Sequence, residues 1–257
     1  MPVKRHDAAV VVMSKIPRPG FTKTRLNTVL NEQESADFHR ASLADTCRAI
    51  MQSGLPGYIY YAEQDKHSRS AQDSLVTQYN LVEQDIWGLP EDERHYFQMY
   101  PQWGKDLGER IYHAAREILF NYDAVLFLGS DMPHIEPAVI LEAKAKMLCN
   151  EIVIGPAQDG GYYLLGIKQA APAIFKGIPW GTPRVLEKTL DIIRKKNRKF
   201  SLLPMQADID TWDDLLAFYL AGVVDGHDFY KKLAAYKMAT ALVKKYSSLS
   251  NRVQFTE

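Results

Sequence analysis

The stretch that decides the fold is Ala8–Leu26, AAVVVMSKIPRPGFTKTRL, in which six consecutive apolar residues run into a loop. Ala8–Met13 is a continuous apolar run with no polar alternation, as expected of a strand buried on both faces of a sheet. Pro17, Pro19 and Gly20 then forbid a helix and mark a loop at the strand's carboxyl end. Beyond it, Glu32–Met51 has helical spacing, with Ala36, Phe38, Leu43, Cys47 and Ile50 at apolar positions. Gly57–Tyr61 reads as a second strand and Gln78–Val82 as a third. Strand, helix and strand alternating in this way predict an α/β fold with a mostly parallel sheet and flanking helices.

The rest of the chain extends the pattern. Asp85–Gly104, rich in aromatics, Gln and Pro, reads as a long surface excursion. Lys105–Phe120 is helical, and Ala124–Leu128, AVLFL, is a central strand running directly into GSDMP. Glu136–Leu148 is a helix with Pro137 in its first turn. Short strands follow at Ile152–Ile154 and Tyr162–Ile167, a helix at Pro183–Lys196, and an edge strand at Phe200–Leu203. Asp210 or Thr211 is placed to cap the next helix, and Asp228–Tyr246 forms an amphipathic one. One domain over 1–222 with a helical extension over 223–257 accounts for the chain.

Composition sets the class. With 46% hydrophobic and 24% charged residues, the sequence is that of an ordinary globular protein, long enough for a core that needs no disulfide. Lys plus Arg (31) balances Asp plus Glu (31), so nothing points to nucleic acid or an anionic membrane, and phosphate recognition must come from a local cluster. No segment has the roughly 18–20 apolar residues of a membrane span, and the amino terminus lacks signal-peptide features. Cytoplasm is the expected compartment. Cys47 and Cys149 sit in apolar helical patterns as core thiols, and the seven histidines, without metal-ligand spacing, read as surface or satisfied side chains.

Five constellations could carry chemistry. Lys15, Arg18, Gly20, Lys23 and Arg25 surround the loop after the first strand, where open α/β sheets bind ligands; four cations there suit a diphosphate. Asp131, in GSDMP, follows the AVLFL strand, and a carboxylate in that position needs a cation, a metal or backbone donors. Asp159, Gly160 and Gly161, in GPAQDGGYYLLG, make a turn that lets backbone approach a ligand. In ADIDTWDDL only one of Asp208 and Asp210 is expected to face the site, Asp210 being the second candidate metal carboxylate. In QWGKDLGER, Gln102 and Asp106 are candidates for the nucleotide side, and Asp106 with Arg110 has the spacing of a helical ion pair.

In this order, KIPRPGFTKTRL, QWGKDLGERI, LFLGSDMPHI, GPAQDGGYYLLGI, IPWGTPRVLEKTL and DIDTWDDL resemble a bacterial glycosyltransferase-like family long carried as a domain of unknown function, some members being called radical-SAM/selenodomain-associated transferases. More distantly, the chain is similar to 2-phospho-L-lactate guanylyltransferase. The resemblance spans Val10–Leu215 and implies the nucleotide-diphospho-sugar transferase fold, often called GT-A. It places Lys15, Lys23 and Arg25 at the nucleotide phosphates. Asp131 falls where relatives keep a DxD motif, with Ser130 in place of a second acid. Asp159 becomes a candidate acceptor base; Gly160, Gly161, Trp180 and Thr182 fall on the acceptor side; Asp131 and Asp210 become the ligands of Mg²⁺ or Mn²⁺. The implied partners are a nucleotide or nucleotide-sugar and a small-molecule acceptor, in glycosyl transfer or alternatively in nucleotidyl transfer with pyrophosphate release. The tail after Asp225 lies outside the resemblance and is a candidate homo-oligomerisation element. All of this requires Lys23 and Asp131 to meet across one crevice.

Overall fold

The computed structural model describes residues 6–63, 87–224 and 228–253. Its sheet has seven strands among the described residues: β1 (His6–Lys15), β2 (Gly57–Ala62), β3 (Phe97–Pro101), β4 (Tyr122–Gly129), β5 (Ile152–Pro156), β6 (Tyr162–Ile167) and β7 (Phe200–Leu202). They lie in the order β3-β2-β1-β4-β6-β5-β7. β1 is parallel to both β2 and β4, β2 to β3 and β5 to β7, while β6 runs antiparallel to β4 and β5. The helices are α1 (Glu32–Ser53), α2 (Glu91–Arg94), α3 (Leu107–Ile118), α4 (Pro137–Cys149), α5 (Pro172–Phe175), α6 (Val185–Lys195), α7 (Trp212–Val224), α8 (Asp228–Lys232) and α9 (Ala234–Val253).

The unbroken apolar run of β1 has the physical cause expected of it. Val10 and Val12 pack on one face of the sheet with Leu43 and Ile50 of α1 and Ile140 of α4. Ala9 and Val11 pack on the other with Ile111 and Ala115 of α3 and Ile193 of α6. Both faces are covered over Ala8–Val12, so that run is apolar throughout; each fully buried valine contributes on the order of 1.5 kcal/mol. The α/β class with a mostly parallel sheet is therefore what the chain adopts. A third cluster joins the carboxyl-terminal helices to the body through Phe38, Leu215, Phe218, Ala239 and Leu242.

Two expectations change and one open choice is settled. The stretch Asp85–Gly104 is no surface excursion where described: Trp87 and Leu89 are fully buried, and Phe97–Pro101 forms the edge strand β3. Phe97 and Met99 alternate inward with exposed Gln98 between them, a period-two signal too short to stand out among neighbouring aromatics. The helix expected over Asp228–Tyr246 is broken at Leu233, and Asp45 of α1 accepts hydrogen bonds from the Ala234 and Ala235 N–H groups at the start of α9, 3.0 and 2.8 Å away. Of the two candidate caps for α7, Thr211 performs the role: its hydroxyl accepts from the Asp214 N–H while Asp214 receives the Asp210 and Thr211 N–H groups. Asp210 is thereby left free for other partners. The strand expected at Gln78–Val82 lies outside the described residues.

The sheet order also sets where a ligand can sit. Successive strands β1, β2 and β3 step one way, and β4 then returns to the opposite side of β1. At such a switch point the loops leaving two parallel strands diverge and open a crevice at their carboxyl ends. Met13 of β1 is in register with Gly129 of β4, so the basic loop and the GSDMP turn leave the sheet side by side.

Candidate functional site

The crevice is organised by Lys23. After the loop, Lys23 takes up a left-handed backbone conformation (φ 50°) at the head of the 3₁₀ helix Thr24–Thr28. For a non-glycine residue this costs about 1 kcal/mol. Its side chain is buried, 3% exposed, and its ammonium lies 2.5 Å from Asp131 Oδ1 and 3.0 Å from Asp210 Oδ1. It also donates to the Ile209 carbonyl. The Asp131 carbonyl accepts from the Ile209 N–H at 3.0 Å, so the β4 turn and the segment before α7 are joined by backbone as well. Arg25, two-thirds exposed, stands 3.6 Å from the other oxygen of Asp210.

The electrostatics follow from this contact. Burial opposes the charge on Lys23, but Asp131 and then Asp210 outweigh it and hold the ammonium above its ordinary pKa. Burial likewise opposes ionisation of Asp131, and the Lys23 charge, followed by His39, brings its carboxyl below the usual range. Lys23 and Asp131 therefore stay charged together at neutral pH.

Two cavities meet at this point and share Met13, Arg25, Leu107, Asp131 and Asp210. One, about 360 Å³, is basic, lined by Lys15, Lys23, Arg25 and Arg110 with His39 and Ser130. The other, about 490 Å³, is acidic and aromatic, lined by Asp159 and Asp208 in addition to the shared carboxylates, with Tyr162, Tyr163 and Trp180. Among its described lining residues Arg25 is the one cation.

The residues singled out from sequence divide accordingly. Lys15, Lys23, Arg25, Asp131 and Asp210 converge as expected. Arg18 and Gly20 are exposed in the loop and line neither cavity; the Arg18 carbonyl instead accepts from Phe21 N–H and the Thr22 hydroxyl. Gln102 reaches the basic cavity, but its amide nitrogen is spent on the Ser14 and Tyr60 carbonyls at 3.1 and 2.7 Å, tying β3 to β1 and β2. Asp106 lines neither cavity: it is the amino-terminal cap of α3, accepting from Glu109 N–H at 2.8 Å. Arg110, read as its ion-pair partner, turns instead to the basic cavity and donates to Gln102 Oε1 at 3.4 Å.

On the acidic side, Asp159, Gly161, Trp180 and Thr182 all line the cavity. Gly160 does not. It has φ 87°, and a Cβ there would lie 2.0 Å from the Pro183 carbonyl oxygen, so it serves the close packing of the turn on the segment before α6. Trp180 lies against Gly108 of α3, where a Cβ would come within 2.7 Å of the indole nitrogen.

Asp208 and Asp210 both line this cavity, correcting the expectation that only one would. Residues two apart in an extended segment share a face, and buried Ile209 points the other way. Burial, then the charges of Asp159, Asp210 and Asp131, push the Asp208 carboxyl up to about 6. His39 takes the satisfied alternative of the histidine reading, through one ring nitrogen. It is buried mid-helix, with Nε2 3.1 Å from the Ser14 hydroxyl and 3.2 Å from the Lys15 carbonyl, beneath the loop of β1. The burial of both residues depends on segments far away in the chain.

As donors, Asp131 and Asp210 suit Mg²⁺ or Mn²⁺, which take one or two carboxylates and complete the shell with phosphate and water. Both carboxylates already hold the Lys23 ammonium, and the described residues contain no group of three or more acids, histidines or cysteines able to hold a metal. The donor set fits in kind, with Lys23 as its competitor. Among the described residues no helix is long and apolar enough to cross a membrane.

The comparisons agree with this architecture. Residues 58–182 match the family DUF2064, described as an uncharacterized protein conserved in bacteria. No curated protein matches the chain. A "putative nucleotide-diphospho-sugar transferase" from Desulfovibrio desulfuricans G20 is 27% identical, with a TM-score of 0.79 over 94% of this chain and 98% of that one. The inositol-1-phosphate CTP transferase from T. maritima, 8% identical, has a TM-score of 0.51 over 93% of this chain and 98% of its own, and shares the fold alone. The fold implied by the six sequence blocks is the fold found.

Proposed function

We propose that this chain, carrying the DUF2064 match and the nucleotide-diphospho-sugar transferase fold, transfers a sugar from a nucleoside-diphosphate donor to a neutral hydroxylated acceptor. The observation that carries this reading is the opposite character of two cavities meeting at one pair of carboxylates. Lys15, Lys23, Arg25 and Arg110 suit the diphosphate, with Arg giving forked contacts and Lys a point charge. Tyr162, Trp180 and the acids opposite suit a sugar, offering apolar ring faces and acceptors for its hydroxyls.

In the reaction, the acceptor oxygen forms a bond to the anomeric carbon as that carbon's bond to the diphosphate breaks. The electron pair leaves with the diphosphate, whose growing charge Lys15, Lys23 and Arg25 stabilise. The acceptor's proton goes to a carboxylate of the acidic cavity. Asp208 suits this role better than Asp159. Asp159 accepts the Gly161 N–H at 2.8 Å, and Asp131 and Asp210 are engaged by Lys23. Among the described residues Asp208 lines the cavity without a donor from any neighbouring residue, and its raised pKa makes it the better base. Asp159 then acts through its charge. A divalent cation at Asp131 and Asp210 would supply further neutralisation of the leaving diphosphate.

Nucleotidyl transfer to a phosphorylated small molecule is the competing reading. It would seat a second phosphate beside Asp159 and Asp208, with Asp131 and Asp210 paired to Lys23 and Arg25 the one cation among the described lining residues, and like charges there disfavour it. Incubation with nucleoside triphosphates and with nucleotide-sugars separates the two. Release of nucleoside diphosphate from the sugars is expected; pyrophosphate release from the triphosphates, without turnover of the sugars, would overturn the assignment.

A further inference from the structure

Lys23 does more than add one positive charge to a phosphate pocket. Its ammonium has three N–H donors, and the structure supplies three oxygens for them: Asp131 Oδ1, Asp210 Oδ1 and the Ile209 carbonyl. Those are hard oxygen ligands of the kind a divalent cation would use, already gathered around a cation belonging to the chain. The other oxygen of Asp210 faces Arg25. A metal joining both carboxylates would have to share their oxygens with an ammonium at contact distance, and like charges so close repel strongly.

We propose that Lys23 is the resident cation of this site and excludes a divalent metal from Asp131 and Asp210 until a diphosphate draws the ammonium away. The second part rests on the reading of the basic cavity as a diphosphate site; the first does not. The geometry gives the exchange a route. Lys23 lines the basic cavity as well as touching the acids, so one side chain addresses both. Its backbone is held in the left-handed turn, but four rotatable bonds carry the ammonium, which can move without moving the loop. Phosphate oxygens among Lys15, Arg25 and Arg110 would replace its carboxylate partners, leaving Asp131 and Asp210 open as the anion brings further metal ligands of its own. Metal and diphosphate then bind cooperatively, each favouring the state in which the ammonium has left the acids.

Equilibrium dialysis of the full chain against Mn²⁺ tests both parts, with inorganic pyrophosphate either absent or equal on the two sides of the membrane. Wild type alone is expected to bind Mn²⁺ at least ~10-fold more weakly than Lys23→Met alone, and pyrophosphate is expected to raise uptake by the wild type by a similar factor. Equal binding by wild type and folded Lys23→Met without pyrophosphate overturns the exclusion, whatever the cavity binds. Should Lys23→Met fail to fold, the wild type alone decides: tight uptake without pyrophosphate overturns the exclusion, and uptake no tighter with pyrophosphate than without it overturns the exchange. Tight uptake by Lys23→Met together with no pyrophosphate effect on the wild type supports the exclusion and overturns the diphosphate reading.

Discussion

Removing the cation and removing the acids of the Lys23 cluster should not be equivalent, because the partners differ in their access to water. The Lys23 side chain is 3% exposed, whereas those of Asp131 and Asp210 are 43% and 33% exposed. In Lys23→Met, a chain of similar length and no charge fills the buried channel, and two carboxylates are left that the cavity's water can solvate. The expected cost is ~1–2 kcal/mol, below the range for a fully buried pair, because solvent takes over part of the lost attraction. In Asp131→Asn/Asp210→Asn, the ammonium stays buried with one carbonyl and two neutral amides around it. That is an uncompensated buried charge, expected to cost ~3–5 kcal/mol. At roughly 2–4 °C per kcal/mol for a chain of this size, the first variant should melt ~5 °C low and the second ~10 °C low or more. Urea unfolding at pH 7, followed by circular dichroism, measures both. Adding Lys23→Met to the double variant should recover most of the loss, since the orphaned charge is then gone. A double variant as stable as Lys23→Met, or a triple variant no better than the double, would refute the idea that a buried ammonium organises the crevice.

Gly160→Ala should cost ~3 kcal/mol or more, since the added methyl meets the Pro183 carbonyl oxygen at 2.0 Å in a backbone conformation with φ 87°; thermal unfolding reads this directly, and an unchanged Tm would contradict it. His134 is held neutral, its pKa lowered from 6.5 to about 4 by burial. Its folded pKa lies below its unfolded one, so the stability it allows is complete above pH 6.5 and is lost as pH falls toward 4, by at most ~3 kcal/mol. His134→Phe, which keeps a ring against Phe218, should flatten that part of the urea midpoint-versus-pH curve; an unaltered slope would contradict the assignment. Asp208→Asn should lower kcat by ~10²-fold or more with KM little changed, as expected for a proton acceptor. A KM effect alone would make Asp208 a binding residue.

Much of the architecture is written locally. The buried run Ala8–Met13, the AVLFL strand and the prolines and glycine of the first loop state their conformations through side-chain chemistry within a few residues of themselves. From two such strands, each followed by a polar loop, an α/β sheet with a ligand crevice at its carboxyl end follows by general rule, and Lys23 and Asp131 could be named before any coordinates. What local chemistry cannot express is which distant segments arrive at the same place. Arg110 and Asp106 have the spacing of an ion pair, yet the packing of α3 turns one toward the basic cavity and leaves the other as a cap. His39 looks like any polar residue of an amphipathic helix until the loop of β1 closes over it. Asp208 stands two residues from Asp210 in sequence, yet its altered acidity comes first from burial and also from Asp159 and Asp131, which reach it only in the folded chain. The closing of three oxygens on Lys23, two of them from residues 209–210, is of the same kind. Sheet order brings those atoms together, and it is set by long-range packing that no single window of sequence contains.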